Sequence, residues 1–404
     1  MVFGPAGLLH RFFGNCPFDG KPDLLLQNPF NFTLMKKSIW MGMLLALGAA
    51  VATGQKPQNY FLLAGTYTTR GAEGIYVYSF DARTGKSQPV SVVKGLRNPS
   101  FLVVAPDQQH VYAVAENEPE GSVYALSFNP TTGQLNLLNE QPSGGAHPCY
   151  IDIDASGQWL SVANYTGGSV SLFPILKDGR VGPATDKKQH AGNSINPERQ
   201  TSPHPHAAMV VASMNEVWVP DLGLDKIFRY KVSNSGKLIT PEVFTQPGGS
   251  GPRHAAVAAN GKFAYVLNEL NATVTAFTLS PKMTSLQTLP TLPAEFKDKN
   301  WCADIHLSGD GKFLYATNRG HQSIVTWQVD DASGRLTFVD RVSVGGAWPR
   351  NFLVDPTDQF VLVANQESDN IVVFRRNAQT GKLTSTGEEI KVSMPVCLRM
   401  IPKR

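Results

Sequence analysis

A proline recurs along this 404-residue chain with a polar residue sixteen positions after it: Pro148 with Asn164, Pro205 with Asp221, Pro252 with Asn268 and Pro349 with Asn365. Cys302 and Asn318 keep the distance without the proline, and Pro99 with Ala115 keeps it without the asparagine. Between the two markers lie two short runs of alternating apolar residues separated by a turn, as at Asn260-Gly261. That pattern reads as two antiparallel strands joined by a tight turn. The anchors at 99, 148, 205, 252, 302 and 349 define units of 47 to 57 residues, each closed by a further strand pair with an outer turn such as TGKL or SGRL. A four-stranded unit of about 50 residues covers its faces by stacking against copies of itself, and radial stacking makes a propeller.

The chain ends fix the number of blades. The segment FLLAGTY near Tyr60 aligns with the second strand of a unit, WLSVANY at residues 159–165, so the first unit lacks its innermost strand. MPVCLRMI, residues 394–401, supplies that strand with Pro395 as its anchor. Six whole units and one shared between the termini predict an all-β, seven-bladed propeller of four-stranded antiparallel blades. Pairing the N- and C-terminal strands in one blade closes the ring without a free edge. Charged residues make up 17% of the chain and Gly and Pro number 36 and 28, the balance of a turn-rich β protein.

The first 54 residues have a different character. Met35-Lys36-Lys37 opens a basic segment, residues 39–51 are apolar, and Ala50-Val51-Ala52 is a small-residue cleavage site. This is the pattern of a secretory signal over residues 35–54, too short to remain as a membrane anchor. Residues 1–34 read as an upstream extension from a start assigned too early, leaving 55–404 as a single propeller domain. Export implies a periplasmic or secreted protein; without use of the signal it would be cytoplasmic. Removing the four basic and two acidic residues of 1–54 lowers the net charge from +4 to +2, which leaves no footprint for nucleic acid or anionic membrane. Cys149, Cys302 and Cys397 occupy first-strand positions of separate units and are expected to be three buried thiols.

In a propeller the innermost strands line the axis, so functional side chains should recur at equivalent positions. One residue after the anchor stand Ser100, Cys149, His206, Arg253, Ala303 and Arg350; seventeen after it stand Glu116, Tyr165, Leu222, Glu269, Arg319 and Gln366. A structural position tends to repeat one chemistry, whereas these diverge into His, Arg and Glu. His204 and His206, two apart on a strand, invite a metal reading, but no Cys pair or acidic cluster at ligand spacing accompanies them. No cofactor is expected. Residues 175–203 read as an insertion over the central face, with Arg199 in reach of a ligand.

At ANYTGGSV (163–170), NPERQTSPHPHA (196–207), DLGLDKI (221–227), GPRHAAV (251–257), VLNE (266–269), ADIHLSGDGKFLYATNRG (303–320) and ANQESDNIVVF (364–374), residues 60–404 resemble the seven-bladed 6-phosphogluconolactonase family. That family is similar in turn to the fungal carboxy-muconate lactonizing enzyme. The resemblance implies hydrolysis of a sugar lactone, with His206, Arg253, Glu269 and Arg319 as the catalytic set. Tyr150 is a departure, because relatives often carry His after the Pro-Cys pair. Hydrolysis needs a base for water and positive charge at the developing oxyanion, roles that suit Glu269 and the paired donors of Arg253 and Arg319, with His206 shuttling a proton. Glu116, Arg199, His204, His254, Asn268, Asn318, Arg350 and Gln366 are the candidate substrate contacts. The substrate is either 6-phosphogluconolactone or an unphosphorylated aldonolactone. A non-catalytic propeller that binds carbohydrate or protein, and a muconate-type lactonizing enzyme, are the alternative readings.

Overall fold

The computed structural model describes residues 57–404, so the expected extension and signal segment lie outside the described residues. Seven four-stranded antiparallel sheets follow one another around the ring. Blade 1 joins Pro395–Pro402 to Asn59–Thr66, Gly74–Asp81 and Lys86–Lys94, in that order from the inside outward. Blades 2 to 7 occupy residues 102–142, 148–189, 209–245, 252–290, 301–343 and 349–391. The closure expected from the two termini is present: Tyr60 pairs with Pro402 and Thr66 with Pro395.

The sixteen-residue spacing is a strand register. Pro148 lies opposite Asn164, Pro205 opposite Asp221, Pro252 opposite Asn268, Cys302 opposite Asn318 and Pro349 opposite Asn365. The polar partner has a mechanical role. Nδ2 of Asn164 donates to Ser143 O, that of Asn318 to Thr291 O and that of Asn365 to Val344 O, each at 3.2 Å. Asn268 Oδ1 accepts from Gln246 Nε2 at 2.7 Å, and Asp221 Oδ2 meets His190 Nδ1 at 2.6 Å. Ser143, His190, Gln246, Thr291 and Val344 each come directly after the last strand of the preceding blade. In five of the seven blades one buried side chain therefore clasps the blade to the connection arriving from its neighbour, satisfying backbone and side-chain groups that have left the sheet.

The anchor also marks a bend. The residue before it is left-handed in five blades, at Asn98 (φ 44°), His147 (50°), Gly251 (64°), Trp348 (64°) and Met394 (47°). This turns the chain from the connection into the inner strand on the face where the loops converge. The core lies between blades, where the inner and second strands bury runs such as Phe263–Asn268 and Phe360–Asn365 completely. Tyr112, Tyr265 and Tyr315 each reach across to a carbonyl of the next blade, Gly179, Gly334 and Gly381, at 2.9, 3.1 and 2.9 Å. Cys149, Cys302 and Cys397 are free and buried, as expected from their positions. No helix among the described residues is long and apolar enough to cross a membrane.

Candidate active site

At the anchor end of the axis a cavity of about 170 Å³ is lined by Glu116, Cys149, Tyr165, Arg199, His206, Glu269, Arg319 and Arg350. Seven of these eight come from the two repeat positions that diverge in sequence; Arg199 comes from the connection after blade 3. A larger cleft, about 440 Å³, opens at the other end of the strands beside Asp154, Trp159 and Glu216. Its acidic groups are already engaged. Asp154 accepts from the backbone N–H of Gln158 and Trp159 at 2.7 Å, and Glu216 accepts from Trp218 Nε1 at 2.8 Å and Arg229 Nε at 2.9 Å. The smaller cavity is where unlike charges converge.

Glu269 forms one corner. Its carboxylate meets Arg199 Nη2 at 2.7 Å, Arg319 Nη2 at 2.7 Å and Arg253 Nε at 3.0 Å, with 3% of its side chain exposed. Burial alone would raise its pKa, but Arg319, Arg253 and Arg199 together hold it at about 2. Burial lowers Arg319 to about 10; Glu269 opposes that shift, and the neighbouring Arg253 and Arg350 add to it. Arg253 Nε lies off the hydrogen-bond direction toward Glu269 and finds no acceptor. Arg199 arrives on a strap fastened by Gln200 Nε2 to Leu222 O (2.8 Å) and by Asn196 Oδ1, which accepts from the N–H of Glu198 and Arg199.

Glu116 forms the other corner. Ser100 Oγ donates to Glu116 Oε2, and the nearest guanidinium, Arg350, stands 3.7 Å from Oε1. Arg350 Nη2 donates instead to Tyr67 Oη at 2.7 Å and its guanidinium covers the Tyr67 ring. Burial raises the Tyr67 hydroxyl far above its ordinary range, so it stays protonated. Nη1 of Arg319 and Nη1 of Arg350 have no hydrogen-bond acceptor among the described residues, which leaves each able to donate to a ligand.

Beneath the pocket a second cavity of about 10 Å³, lined by Ser100, Glu116, Cys149, Arg253, His254 and Arg350 among others, has room for one water. Arg253 Nη1 sits 3.2 and 3.5 Å from the two ring nitrogens of His254, a near-equality that puts the guanidinium over the ring face. His254 Nδ1 is 2.8 Å from Asp304 Oδ1, and His306 Nε2 is 2.9 Å from Oδ2. Burial and then Arg253 lower His254 to about 4, so the ring is neutral and donates from Nδ1 to the ionised Asp304. Burial, Arg253 and His254 likewise hold His206 well below its ordinary value. A neutral His206 faces the pocket with Nδ1 3.6 Å from Cys149 Sγ.

The structure brings Glu269, Arg319, His206, Glu116, Arg199 and Arg350 together around one cavity and sets Arg253 and His254 against the smaller one beneath it. Four expected contacts lie elsewhere. Asn268 and Asn318 are interblade clasps, their amides spent on Gln246, Thr273 and Thr275, and on Thr291 and Ser323. Gln366 turns to Glu367 at 2.7 Å. His204 stacks on Tyr165 at 4.4 Å and meets its carbonyl at 3.1 Å, so it backs the pocket wall. The segment 175–203 is also divided: it contains the outer strand Asp186–Gln189, and the loop beyond that strand carries Arg199. Among the described residues no group of three or more His, Cys, Asp or Glu could hold a metal ion. Tyr165 and Cys149 line the pocket from the two variable positions without being among the expected contacts, and Tyr67 supports Arg350 from behind. Tyr67 had a signal, because aligning FLLAGTY with WLSVANY sets it opposite Tyr165.

The family described as lactonase, 7-bladed beta-propeller, matches residues 61–400. This chain belongs to that family. Its reaction class is therefore lactone hydrolysis on a small-molecule substrate, and this lactonase is an enzyme. It is 36% identical over 347 residues to the 6-phosphogluconolactonase of Bacillus subtilis, an alignment covering 85% of this chain and 99% of the relative. Among solved structures, a putative 6-phosphogluconolactonase from Bacteroides fragilis superposes with a TM-score of 0.81 at 37% identity, covering 85% of this chain and 98% of the other. The periplasmic gluconolactonase of Pseudomonas aeruginosa does so at 0.80 and 36%, covering 86% and 100%.

Proposed function

We propose that this lactonase hydrolyses an unphosphorylated aldonolactone outside the cytoplasm, with Glu116 as the base that activates water. The observation that carries the assignment is the contrast in salt bridging: Glu269 is held by three guanidiniums, Glu116 has one at 3.7 Å. A carboxylate with a pKa of about 2 is a poor proton acceptor at neutral pH, so the role first expected of Glu269 passes to Glu116. Glu269 instead fixes Arg199, Arg253 and Arg319. In this reading Glu116 takes a proton from water, the resulting hydroxide adds to the lactone carbonyl carbon, and Arg319 and Arg350 donate to the oxyanion. Collapse of the tetrahedral species breaks the bond to the ring oxygen, which leaves as an alcohol after protonation by Glu116. The product acid then ionises.

A cavity of about 170 Å³ is small against the ~300 Å³ lower range of ligand sites and suits a single sugar ring. That volume, the signal pattern of residues 35–54 and the likeness to a periplasmic gluconolactonase support the unphosphorylated substrate. The surplus of guanidinium over carboxylate charge favours a second reading, 6-phosphogluconolactone, the substrate named for the Bacillus subtilis relative. Initial rates of the purified 55–404 chain on both lactones, corrected for spontaneous hydrolysis, decide between them. No turnover above the spontaneous rate for either would end the proposal. Mass spectrometry of the mature N-terminus tests export: a start near Gln55 is expected, and an intact Met1 in the cytoplasm would restore the phosphorylated substrate.

A further inference from the structure

The residue before the anchor forms a collar around the pocket mouth, outside the polar positions that line the cavity. It reads Asn98, His147, His204, Gly251, Trp301, Trp348 and Met394 around the ring. The two tryptophans stand side by side on blades 6 and 7. Their ring centroids are 5.3 Å apart with the planes tilted by 48°, and both are only half-buried. They share a wall with the pocket: Arg319 Nε donates to Trp301 O at 3.3 Å and the Arg319 guanidinium lies 5.5 Å from the Trp348 ring centroid.

Trp348 is held at φ 64°, a conformation that a bulky residue adopts only where the surroundings enforce it. Its N–H is fixed by Gln322 Oε1 at 2.7 Å. A tryptophan in a strained backbone with part of its ring open to solvent contributes less to the core than its size allows, which points to a surface role.

We propose that Trp301 and Trp348 form a second sugar subsite, and that the preferred substrate is an aldonolactone carrying a glycosidically linked sugar. The inference rests on the proposed lactone hydrolysis and extends it outward from the reacting ring. The cavity has space for one ring, so anything attached to the lactone must leave through the mouth. The strap that carries Arg199 crosses from blade 3 to Glu269 on blade 5, so the way out lies over the other blades, of which 6 and 7 carry the tryptophan pair. There the substituent meets two aromatic faces, which match the C–H face of a pyranose. Of the Arg319 donors beside them, Nε and Nη2 are committed to Glu269 and two carbonyls and Nη1 serves the oxyanion in the proposed hydrolysis, so none is left for a phosphate.

The test compares gluconolactone with its 4-O-glucosyl derivative, cellobionolactone, as substrates of the 55–404 chain. Wild type is expected to show kcat/KM for the disaccharide lactone at least about tenfold above that for the monosaccharide, an aromatic contact's worth. Trp301→Ala and Trp348→Ala should each lower that ratio toward one, and cellobionate should quench tryptophan fluorescence in wild type more than gluconate does. Trp301→Phe, which keeps an aromatic face, should retain most of the ratio and guards against a misfolded alanine variant. Turnover of gluconolactone with no preference for the disaccharide, or a ratio unmoved by both alanine substitutions, overturns the subsite and leaves the hydrolysis reading standing. Turnover of neither lactone removes the hydrolysis reading itself.

Discussion

Glu269 and Glu116 occupy the same position in two blades, seventeen residues after the anchor, and face the same cavity. Their surroundings differ. Around Glu269 its own blade supplies Arg253, the next blade Arg319, and a strap adds Arg199; around Glu116 its own blade supplies Ser100, and Arg350 of blade 7 stands farther off. A ring with one backbone at every position thus builds a charge-saturated corner and a sparsely paired one, by which side chains fill its equivalent positions. The saturated corner organises the guanidiniums; in the proposed hydrolysis the other takes the proton.

The largest expected effect is on stability. Glu269→Ala strands the two buried guanidiniums of Arg253 and Arg319, and loss of one partner from a buried charge network costs about 3–5 kcal/mol. Urea unfolding should show that loss for Glu269→Ala and less than half of it for Glu116→Ala. Similar losses would erase the distinction between the corners. Turnover should show the opposite order: Glu116→Gln is expected to lower kcat by about 10²-fold or more with the fold intact. Were Glu269→Gln to abolish turnover at unchanged stability while Glu116→Gln stayed active, the base would return to Glu269.

Arg199 offers a smaller handle, because it joins the saturated corner from a strap and keeps 32% of its side chain exposed. Arg199→Met should raise KM by about tenfold, with little loss of stability. An unchanged KM would make the strap a bystander. The smallest effect concerns acid. His254 has a folded pKa of about 4, below its ordinary 6.5, so the unfolded chain binds the proton more tightly between those values. Its contribution to stability is therefore complete above pH 6.5 and is lost as pH falls toward 4. His254→Gln should flatten that part of the stability curve, measured by thermal melting between pH 7 and 4. An identical slope in the variant would assign it to other groups.

Equivalent positions explain how much of the site could be read from sequence. Where the unit repeats one residue, as at Asn164, Asn268, Asn318 and Asn365, the role is mechanical, and two of these look like substrate contacts in the sequence because they neighbour the variable position. Where the unit varies, as at Cys149, His206, Arg253 and Arg350, the residues meet at or under the pocket. Tyr165 and Tyr67 belong to the varying class too, but an aromatic residue at a strand end looks like packing until its partners are known. Arg350 finds Tyr67 across 283 positions of chain, a pairing that exists only because the ends share a blade.

By itself the sequence determined the fold: the sixteen-residue register, the seven units, the split blade that closes them and the two positions per unit that reach the axis. Each is a local pattern, since strand alternation and turn chemistry act over a few residues and the ring arises by repetition. Only the tertiary structure decided which charges neutralise one another. Arg199 meets Glu269 across 70 positions and Arg319 does so across 50. Electrostatic energy depends on distances through a buried, weakly screened interior and not on spacing along the chain. The anchor and its partner could therefore be counted in the sequence, while the difference between Glu269 and Glu116 became legible only when seven blades had brought their inner ends to one point.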